Sequence, residues 1–220
     1  MRYFPICLDL KNRRVLVVGG GVIAEGKILQ LVEANAKVHI VSPNLTPTLH
    51  LMVKQGIVTW HEGEFADADV NDKFLVISAT DLQTVNEAVA KAAAQQRIWC
   101  NVVDQPALCD FITPSLVTRG DLQISISTAG KSPTVAQRVK REISELIGAE
   151  YEILLEITAE LRVEVRKLSN DFNTRRDFLK LFVESNALEL IRAGKTAAAK
   201  KLAHQMLAEF SQSLADNLKQ

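Results

Sequence analysis

The 220-residue sequence has no net charge, few cysteines and no long apolar run. Its 26 Lys and Arg residues balance 26 Asp and Glu residues, so the chain has no general electrostatic attraction for nucleic acid. No apolar run approaches the roughly 20 residues that span a bilayer, and the N-terminus lacks the apolar core and small-residue cleavage site of a signal peptide. We therefore expect a cytoplasmic globular protein that binds neither nucleic acid nor membrane.

The three cysteines, Cys7, Cys100 and Cys109, have no CxxC spacing. This pattern excludes a disulfide framework and favours no thiolate metal site. We expect reduced, partly buried thiols. The 47% apolar content is enough for packed cores, and the length suits one good-sized domain with a smaller one.

A short apolar strand runs into a glycine-rich turn and then into a helix. The spacing Gly19-x-Gly21-x-x-Ala24 fits the dinucleotide fingerprint, in which Gly21 lets the backbone approach a pyrophosphate. The helix that begins near Val22 offers free N–H groups to the phosphates. Any tight strand-to-helix turn can favour glycine, but the amphipathic helix that follows supplies the expected context. We predict a bound dinucleotide, with Val22 and Ile23 in its site.

The second strand ends in Ser42-Pro43-Asn44, where many NAD-binding folds carry an Asp or Glu for the adenine ribose. That acid is missing, and no Arg replaces it to accept a 2′-phosphate. The residues therefore leave NAD and NADP open. Ser42 and Asn44 are neutral hydrogen-bonding candidates, and Pro43 is included with them in the predicted cofactor site.

Two later apolar strands, 74–78 and 98–103, end beside further polar residues. Because ligands of open α/β sheets bind at the carboxyl ends of the strands, Thr80 and Val103 are predicted to contact the cofactor. Asp104 leaves the last of these strands and is a candidate for chemistry. An exposed Asp in a Pro-containing turn is the plainer interpretation of the same residues.

The pattern changes after Thr113. Two strands are expected at 115–118 and 122–127, and in the second Leu122, Ile124 and Ile126 alternate with polar residues, which predicts a hairpin with one apolar face. A lone hairpin is marginal in water, so this one must pair with the main sheet, a helix or the same hairpin of a second subunit. Ser132 then caps a helix that runs to about residue 147.

From Gly148 onward the sequence predicts only helix, with residues 172–191 as one amphipathic segment that Gly194 ends. The predicted fold is an α/β Rossmann-type parallel sheet over 1–113, a small α+β region over 114–148 and an all-helical domain over 149–220.

Motifs that run in order from about Ile6 to Phe182 are more specific than the glycine turn alone. They are Gly19-Gly20-Gly21-Val22-Ile23-Ala24-x-x-Lys27, Ser42-Pro43, Ala79-Thr80-Asp81, Val85-Asn86, Asn101-Val102-Val103-Asp104-x-Pro106, Phe111-Ile112-x-Pro114, Arg119-Gly120, Ile126-Ser127-Thr128-x-Gly130-x-Ser132-Pro133 and Arg175-Arg176-x-Phe178. In this combination the chain resembles the precorrin-2 dehydrogenase of siroheme synthesis, whose module also forms the N-terminal half of multifunctional siroheme synthases.

The resemblance implies a homodimeric enzyme that oxidises precorrin-2 to sirohydrochlorin with NAD, and several members also insert ferrous iron. It implies an NAD-binding Rossmann domain over 1–113, a central dimerisation region over 114–148 and a helical domain over 149–220. Asp104 takes the position of the shared acid/base or metal-contacting carboxylate. Lys140 and Arg141 are read as a solvated helix face. The candidates for binding the carboxylates of the substrate are Ser127, Thr128, Lys131, Ser132 and Arg138.

The chain departs from the family pattern in two places. Gly26 stands where the family commonly has Arg before Lys27, which removes a donor and costs about 1 kcal/mol relative to Ala within a helix. No methyltransferase domain follows, so a stand-alone enzyme is expected.

Two other functions stay open at this stage. One is a redox-sensing NAD-binding regulator without catalysis, which the neutral charge and the lack of a segment before the first strand disfavour. The other is a chelatase that has lost dehydrogenation.

Overall fold

The computed structural model describes residues 3–217, and the packing divides the chain after Thr113 into two compact units. Within the described residues, no helix has the length and apolar character needed to cross a membrane. The first unit contains β1 (Arg14–Val18), α1 (Val22–Glu33), β2 (Lys37–Ser42), α2 (Pro47–Lys54), β3 (Thr59–Glu62), a 3₁₀ turn (Asp67–Val70), β4 (Leu75–Ser78), α3 (Gln83–Gln95), β5 (Trp99–Val102) and a second 3₁₀ turn (Pro106–Leu108).

Five parallel strands form the sheet of the first unit, in the order β3-β2-β1-β4-β5. Val15 and Val17 of β1 pack with α1 and α2 on one face, while Leu16 and Val18 pack against the cluster that includes α3 on the other. A strand that is buried on both faces needs a continuous apolar run, as residues 15–18 supply. The predicted Rossmann-type sheet is confirmed.

Strands β2 and β3 lie on one side of β1, and β4 and β5 lie on its other side. The strand order therefore reverses between β1 and β4. In doubly wound sheets this reversal opens a crevice at the carboxyl ends of the two strands, because the loops that follow them diverge. A ligand is therefore expected to bind beside the chain segments that follow β1 and β4.

The strand predicted at residues 57–60 lies two residues later, at Thr59–Glu62. Gly56 adopts a positive φ of 71°, and its N–H donates to the Val53 carbonyl while the Ile57 N–H donates to the Met52 carbonyl. These bonds close the end of α2 in the manner of a Schellman motif. Ile57 therefore belongs to the helix terminus rather than to the strand.

The second unit begins with a two-stranded antiparallel hairpin and continues with helices alone. The hairpin contacts α4 and α5, so of the three partners considered for it, a helix is present within the same chain. Val117 and Ala136 are buried, whereas Leu122, Ile124 and Ile126 are half-buried. The elements are β6 (Ser115–Arg119), β7 (Leu122–Ile126), α4 (Pro133–Leu146), α5 (Glu150–Leu168), α6 (Phe172–Val183), α7 (Ala187–Arg192) and α8 (Thr196–Asn217).

The prediction of one helical segment over 172–191 is wrong, since α6 and α7 are separate helices. Ser185 causes the break. Its hydroxyl donates to the Phe182 carbonyl at 2.6 Å and accepts from the Ala187 N–H at 3.3 Å, so it closes one helix and opens the next.

Phe182 is the largest fully buried side chain and lies in the apolar cluster of the helical segment. We expect Phe182→Ala to lower the free energy of unfolding by about 3–5 kcal/mol, because it removes a buried ring and leaves a cavity. Phe172→Ala is the matched control: Phe172 begins the same helix with its side chain 66% exposed. Urea titration checks both variants, and equal unfolding midpoints would show that Phe182 is not a core residue.

Candidate functional site

The carboxyl edge of the parallel sheet brings together the predicted cofactor residues of the first unit. The backbone registers pair Val18 with Val41 and with Ser78, and Ser78 with Val102, so the four strands end side by side. The loops that leave them carry Gly19 to Ile23, Ser42 to Asn44, Thr80, and Val103 with Asp104. Residues dispersed over more than 80 positions thus share one edge of the sheet.

Gly19 and Gly20 are required by packing. Gly19 has a φ of 119°, and a Cβ built on it would lie 2.3 Å from the Ala79 carbonyl oxygen. A Cβ on Gly20 would lie 2.1 Å from the Asn44 carbonyl oxygen. The dinucleotide fingerprint does not predict that residue 20 must be glycine. The available signal is the run of three glycines, because the fingerprint itself needs only Gly19 and Gly21.

Gly21 differs, because a Cβ built on it meets nothing within 4 Å. It occupies the position before α1 and has no side chain with which to cap the helix. The first N–H groups of α1 and the open face of Gly21 therefore suit an anionic group that approaches the backbone. Val22 and Ile23 are 79% and 55% exposed beside this opening, as expected of apolar side chains that a ligand covers.

The three residues at the end of β2 and after it differ in burial and in hydrogen bonding. Ser42 is buried, and its hydroxyl donates to the Asn44 carbonyl at 2.8 Å, so that hydrogen is used to hold the loop. Pro43 and Asn44 are exposed. The carbonyl of Ser42 also accepts from the Trp60 indole N–H at 2.9 Å, which fixes the end of the strand.

Buried hydrogen bonds also shape the turn after β4. The Asn86 side chain accepts from the Ser78 hydroxyl at 2.7 Å and donates to the Thr80 carbonyl at 3.0 Å. The Thr80 hydroxyl in turn accepts from the Leu82 N–H at 3.2 Å. The sequence identifies Asn86 only as part of the Val85-Asn86 motif, and the structure shows that its side chain contacts the predicted cofactor loop.

Asp104 lies in a tight turn directly after β5, with a left-handed φ of 59° and an exposed side chain. The chain then folds back along β5, where the Asn101 amide donates to the Phe111 carbonyl at 2.9 Å and Cys109 Sγ contacts the Val102 backbone N–H at 3.2 Å. Val103 is tied to the neighbouring strand, since its N–H donates to the Ser78 carbonyl at 2.9 Å. The carboxylate thus projects from an anchored loop at the ligand edge.

Lys27 lies on α1 near Asp104. Its ammonium donates to the Thr113 hydroxyl at 2.6 Å. Burial lowers the pKa of Lys27, and the nearby Asp104 carboxylate opposes part of that decrease. Gly26 beside it is exposed, and a Cβ there meets nothing within 4 Å, so packing does not explain the departure from Arg.

All four buried polar side chains of the described residues lie at or near this edge: Ser42, Ser78, Asn86 and Asn101. Ser42, Asn86 and Asn101 each have a hydrogen bond to a strand end or to a loop that leaves one, and the Ser78 hydroxyl, at the end of β4, donates to Asn86 on α3. Burying a polar group without a partner costs about 1–3 kcal/mol, so these loops are held in defined conformations.

The cysteines differ in exposure but share the free thiol state. Cys7 is exposed, which corrects the expectation that all three are partly buried. Burial, with Cys109 and Asp110 nearby, raises the pKa of Cys100 to about 12, so its thiol stays protonated at neutral pH. Within residues 3–217, no group of three or more His, Cys, Asp or Glu side chains is arranged to hold a metal ion.

The candidate substrate residues Ser127, Thr128 and Ser132 are in the second unit and shape the turn before α4. The Thr128 hydroxyl donates to the Ser132 carbonyl and accepts from the Ser132 N–H, both at 3.2 Å. The Ser132 hydroxyl accepts from the Val135 N–H, which confirms it as the helix cap. The Ser127 hydroxyl accepts from the Ala129 N–H at 3.2 Å.

The two cationic candidates in this region, Lys131 and Arg138, are exposed. Arg138 forms an ion pair with Glu142 one turn along the same helix, at 2.9 Å. Lys140 is half-buried and Arg141 is exposed. A ligand that binds Arg138 must therefore compete with an exposed carboxylate, and such surface pairs are weak.

Three family models match consecutive parts of the chain. Residues 6–115, half of the chain, match a model described as putative NAD(P)-binding. Residues 119–146 match the sirohaem biosynthesis protein central model, and residues 150–207 match the sirohaem synthase dimerisation region. The chain therefore belongs to the putative NAD(P)-binding family of the first model, and it continues with the central and dimerisation regions of sirohaem synthase. The resemblance found in the sequence motifs is confirmed, and the first unit is its NAD(P)-binding part.

Curated siroheme synthases resemble the chain over nearly its whole length. The siroheme synthase of Thioalkalivibrio sulfidiphilus is 37% identical over 207 residues, which is 94% of this chain and 42% of the relative. Siroheme synthase 3 of Aeromonas hydrophila is 36% identical over 214 residues, covering 97% of this chain and 46% of the relative. The chain thus spans less than half the length of these siroheme synthases.

Among solved structures, the chain is similar to one described as SirC, precorrin-2 dehydrogenase. The TM-score is 0.76 at 24% sequence identity, over 92% of this chain and 100% of that one. The similarity shows that the two chains share a fold.

Proposed function

We propose that this chain oxidises precorrin-2 to sirohydrochlorin with NAD, as a step in siroheme biosynthesis. The observation that carries the proposal is the placement of Asp104 at the same sheet edge as the open backbone of Gly21. The matches of residues 119–146 and 150–207 to the sirohaem central and dimerisation models support the pathway. We further propose that the enzyme acts in the cytoplasm.

The residues of the first unit fit a dinucleotide. Gly19, Gly21 and the N-terminus of α1 would hold the pyrophosphate, with Val22 and Ile23 covering it. Thr80, Val103 and the Ser42-Pro43-Asn44 segment would contact the rest of the cofactor. NAD is proposed because the resemblance to precorrin-2 dehydrogenases implies it, whereas the residues after β2 alone leave NAD and NADP open. When bound, NAD supplies the acceptor for a hydride.

Asp104 is proposed as the residue that moves the proton. Loss of a hydride from precorrin-2 leaves a proton to be removed, and a carboxylate within reach can accept it. The Lys27 ammonium lies near Asp104. Precorrin-2 carries several carboxylates, and we propose that these bind Ser127, Thr128, Lys131, Ser132 and Arg138.

A second reaction proposed for the same carboxylate is insertion of ferrous iron into sirohydrochlorin. Asp104 is exposed and carries oxygen ligands suited to a divalent cation. Iron is here a substrate that Asp104 would contact during transfer.

The experiment is anaerobic incubation of the pure protein with precorrin-2, in separate samples with NAD, with NADP and with neither. We expect the absorbance of sirohydrochlorin to appear fastest with NAD and not without a dinucleotide. Bound NAD without turnover would instead indicate a redox-sensing regulator. Siroheme formation from supplied sirohydrochlorin and ferrous iron, with no oxidation of precorrin-2, would indicate a chelatase.

We also propose that the chain forms a homodimer and that its second unit divides into parts at 114–148 and 149–220. The match of residues 150–207 to a dimerisation region supports the dimer and a division near residue 149, although the matched segment is the helical part and not residues 114–148, to which the resemblance assigns dimerisation. Light scattering is expected to give twice the 24.3 kDa chain mass down to low protein concentration. A stable monomer at concentrations where the enzyme is fully active would contradict the dimer.

A further inference from the structure

The buried amide of Asn86 joins helix α3 to the turn after β4. Its oxygen accepts from the Ser78 hydroxyl at 2.7 Å, and its nitrogen donates to the Thr80 carbonyl at 3.0 Å. The residue is 3% exposed and Ser78 is fully buried. Because a carbonyl can only accept a hydrogen bond, the bond to Thr80 fixes which end of the amide faces the turn.

The same turn is held from its other sides by the strands next to β4. The Ala79 N–H donates to the Val18 carbonyl at 2.8 Å, and the Val103 N–H donates to the Ser78 carbonyl at 2.9 Å. The Ala79 carbonyl lies where a Cβ on Gly19 would collide with it. Residues 78–80 are therefore packed directly against the first glycine of the dinucleotide fingerprint, at the place where the strand order reverses.

Packing alone does not require an amide at this position. Val89, one turn further along α3, is fully buried and anchors the helix on the sheet through apolar contacts. A buried amide has a desolvation cost that only its hydrogen bonds offset. The side-chain hydrogen bonds of Asn86 go to Ser78 and Thr80, so the amide stabilises the turn rather than the helix.

We propose that Asn86 is a positioning residue for the dinucleotide, holding the turn at residues 78–80 in the conformation that the cofactor meets. This inference rests on the proposed function, since it assigns Asn86 to the NAD site. Without the amide, the Thr80 carbonyl and the Ser78 hydroxyl lose their partner, and the turn samples other conformations. Part of the binding free energy of NAD is then used to order the turn, so the affinity for NAD falls.

The test compares Asn86→Leu with Val89→Ala in the full chain. Asn86→Leu introduces an apolar side chain of similar size and so removes both hydrogen bonds, whereas Val89→Ala destabilises the same helix without touching the turn. Well below the melting temperature of each variant, we expect Asn86→Leu to weaken NAD binding about tenfold, as loss of a buried hydrogen-bond partner would. Val89→Ala is expected to lower the melting temperature and leave the Kd for NAD unchanged.

Asn86→Asp gives a rescue that a merely structural role would not produce. The carboxylate can accept from Ser78 but cannot donate to Thr80, and burial raises the pKa of such a group. Below that pKa the protonated carboxyl gains an O–H that can donate. We therefore expect the NAD affinity of Asn86→Asp, relative to the wild type at each pH, to improve as the pH falls.

Folded Asn86→Leu protein with a Kd for NAD within twofold of the wild type would overturn this inference and leave the proposed function intact. A wild-type protein that binds no NAD would overturn both. A larger loss of affinity in Val89→Ala than in Asn86→Leu would show that helix stability, not the amide, controls the site.

Discussion

Asp104→Ala is expected to lower the rate of precorrin-2 oxidation by about 10²- to 10⁴-fold while the affinity for NAD stays unchanged. The carboxylate lies after β5 at the ligand edge, on a different loop from the glycines that face the pyrophosphate. Its removal should therefore affect proton transfer and not phosphate binding. Anaerobic turnover assays and NAD titrations of the same preparation measure the two quantities.

Asp72 offers an unusually close control for this variant. It is also an exposed aspartate with a φ of 59°, but it lies before β4, at the amino end of the parallel strands, whereas Asp104 lies at their carboxyl end. Asp72→Ala therefore changes the same residue type in the same backbone conformation away from the ligand edge. We expect wild-type turnover from it, and equal rates for the Asp72 and Asp104 variants would show that Asp104 is only a turn residue.

Asp104→Asn separates the functions of the carboxylate. The amide keeps the shape and can form hydrogen bonds, but it cannot take a proton. We expect it to be as slow as Asp104→Ala in oxidation. If iron insertion is present in the wild type, both variants should lose it as well.

Gly21→Asp is expected to weaken NAD binding on the order of a thousandfold. A Cβ at Gly21 has open space in the free protein, so the variant should fold, but the added carboxylate would stand where the pyrophosphate approaches. Two like charges about 4 Å apart repel by about 4 kcal/mol at an effective dielectric constant of 20. Calorimetric titration with NAD measures the loss.

Gly21→Asn has nearly the same size without the charge and shows how much of the effect is electrostatic. We expect its affinity to lie between those of the wild type and Gly21→Asp. A thermally stable Gly21→Asp protein with wild-type affinity would mean that the phosphates do not bind at this turn.

Local sequence patterns predicted the parts of the fold that depend on neighbouring residues. The apolar run before the glycines forms β1, Asn35 adopts the left-handed conformation after α1 with a φ of 58°, and Ser132 caps α4. The misplacement of β3 and the break between α6 and α7 had a different origin. Backbone bonds at Gly56 and the two bonds of Ser185 compete with the apolar periodicity that suggested other boundaries.

The candidate site could be predicted in outline because each of its loops follows an apolar strand. The supporting contacts could not, since they join residues that are far apart in the sequence. Gly20 is required by the Asn44 carbonyl, which lies beyond helix α1 and strand β2, and Asn101 holds the Phe111 carbonyl ten residues later. Periodicity shows which face of an element is buried but does not show which loop that face will meet.

The most direct test of the central claim is a single anaerobic turnover in which NADH and sirohydrochlorin are measured together. Excess protein is loaded with NAD and mixed with limiting precorrin-2, and both products are followed by their absorbance. We predict one molecule of NADH for each molecule of sirohydrochlorin, formed at the same rate, and neither product at a comparable rate with Asp104→Ala. Sirohydrochlorin without matching NADH, or no sirohydrochlorin from NAD-loaded protein, would contradict the assignment.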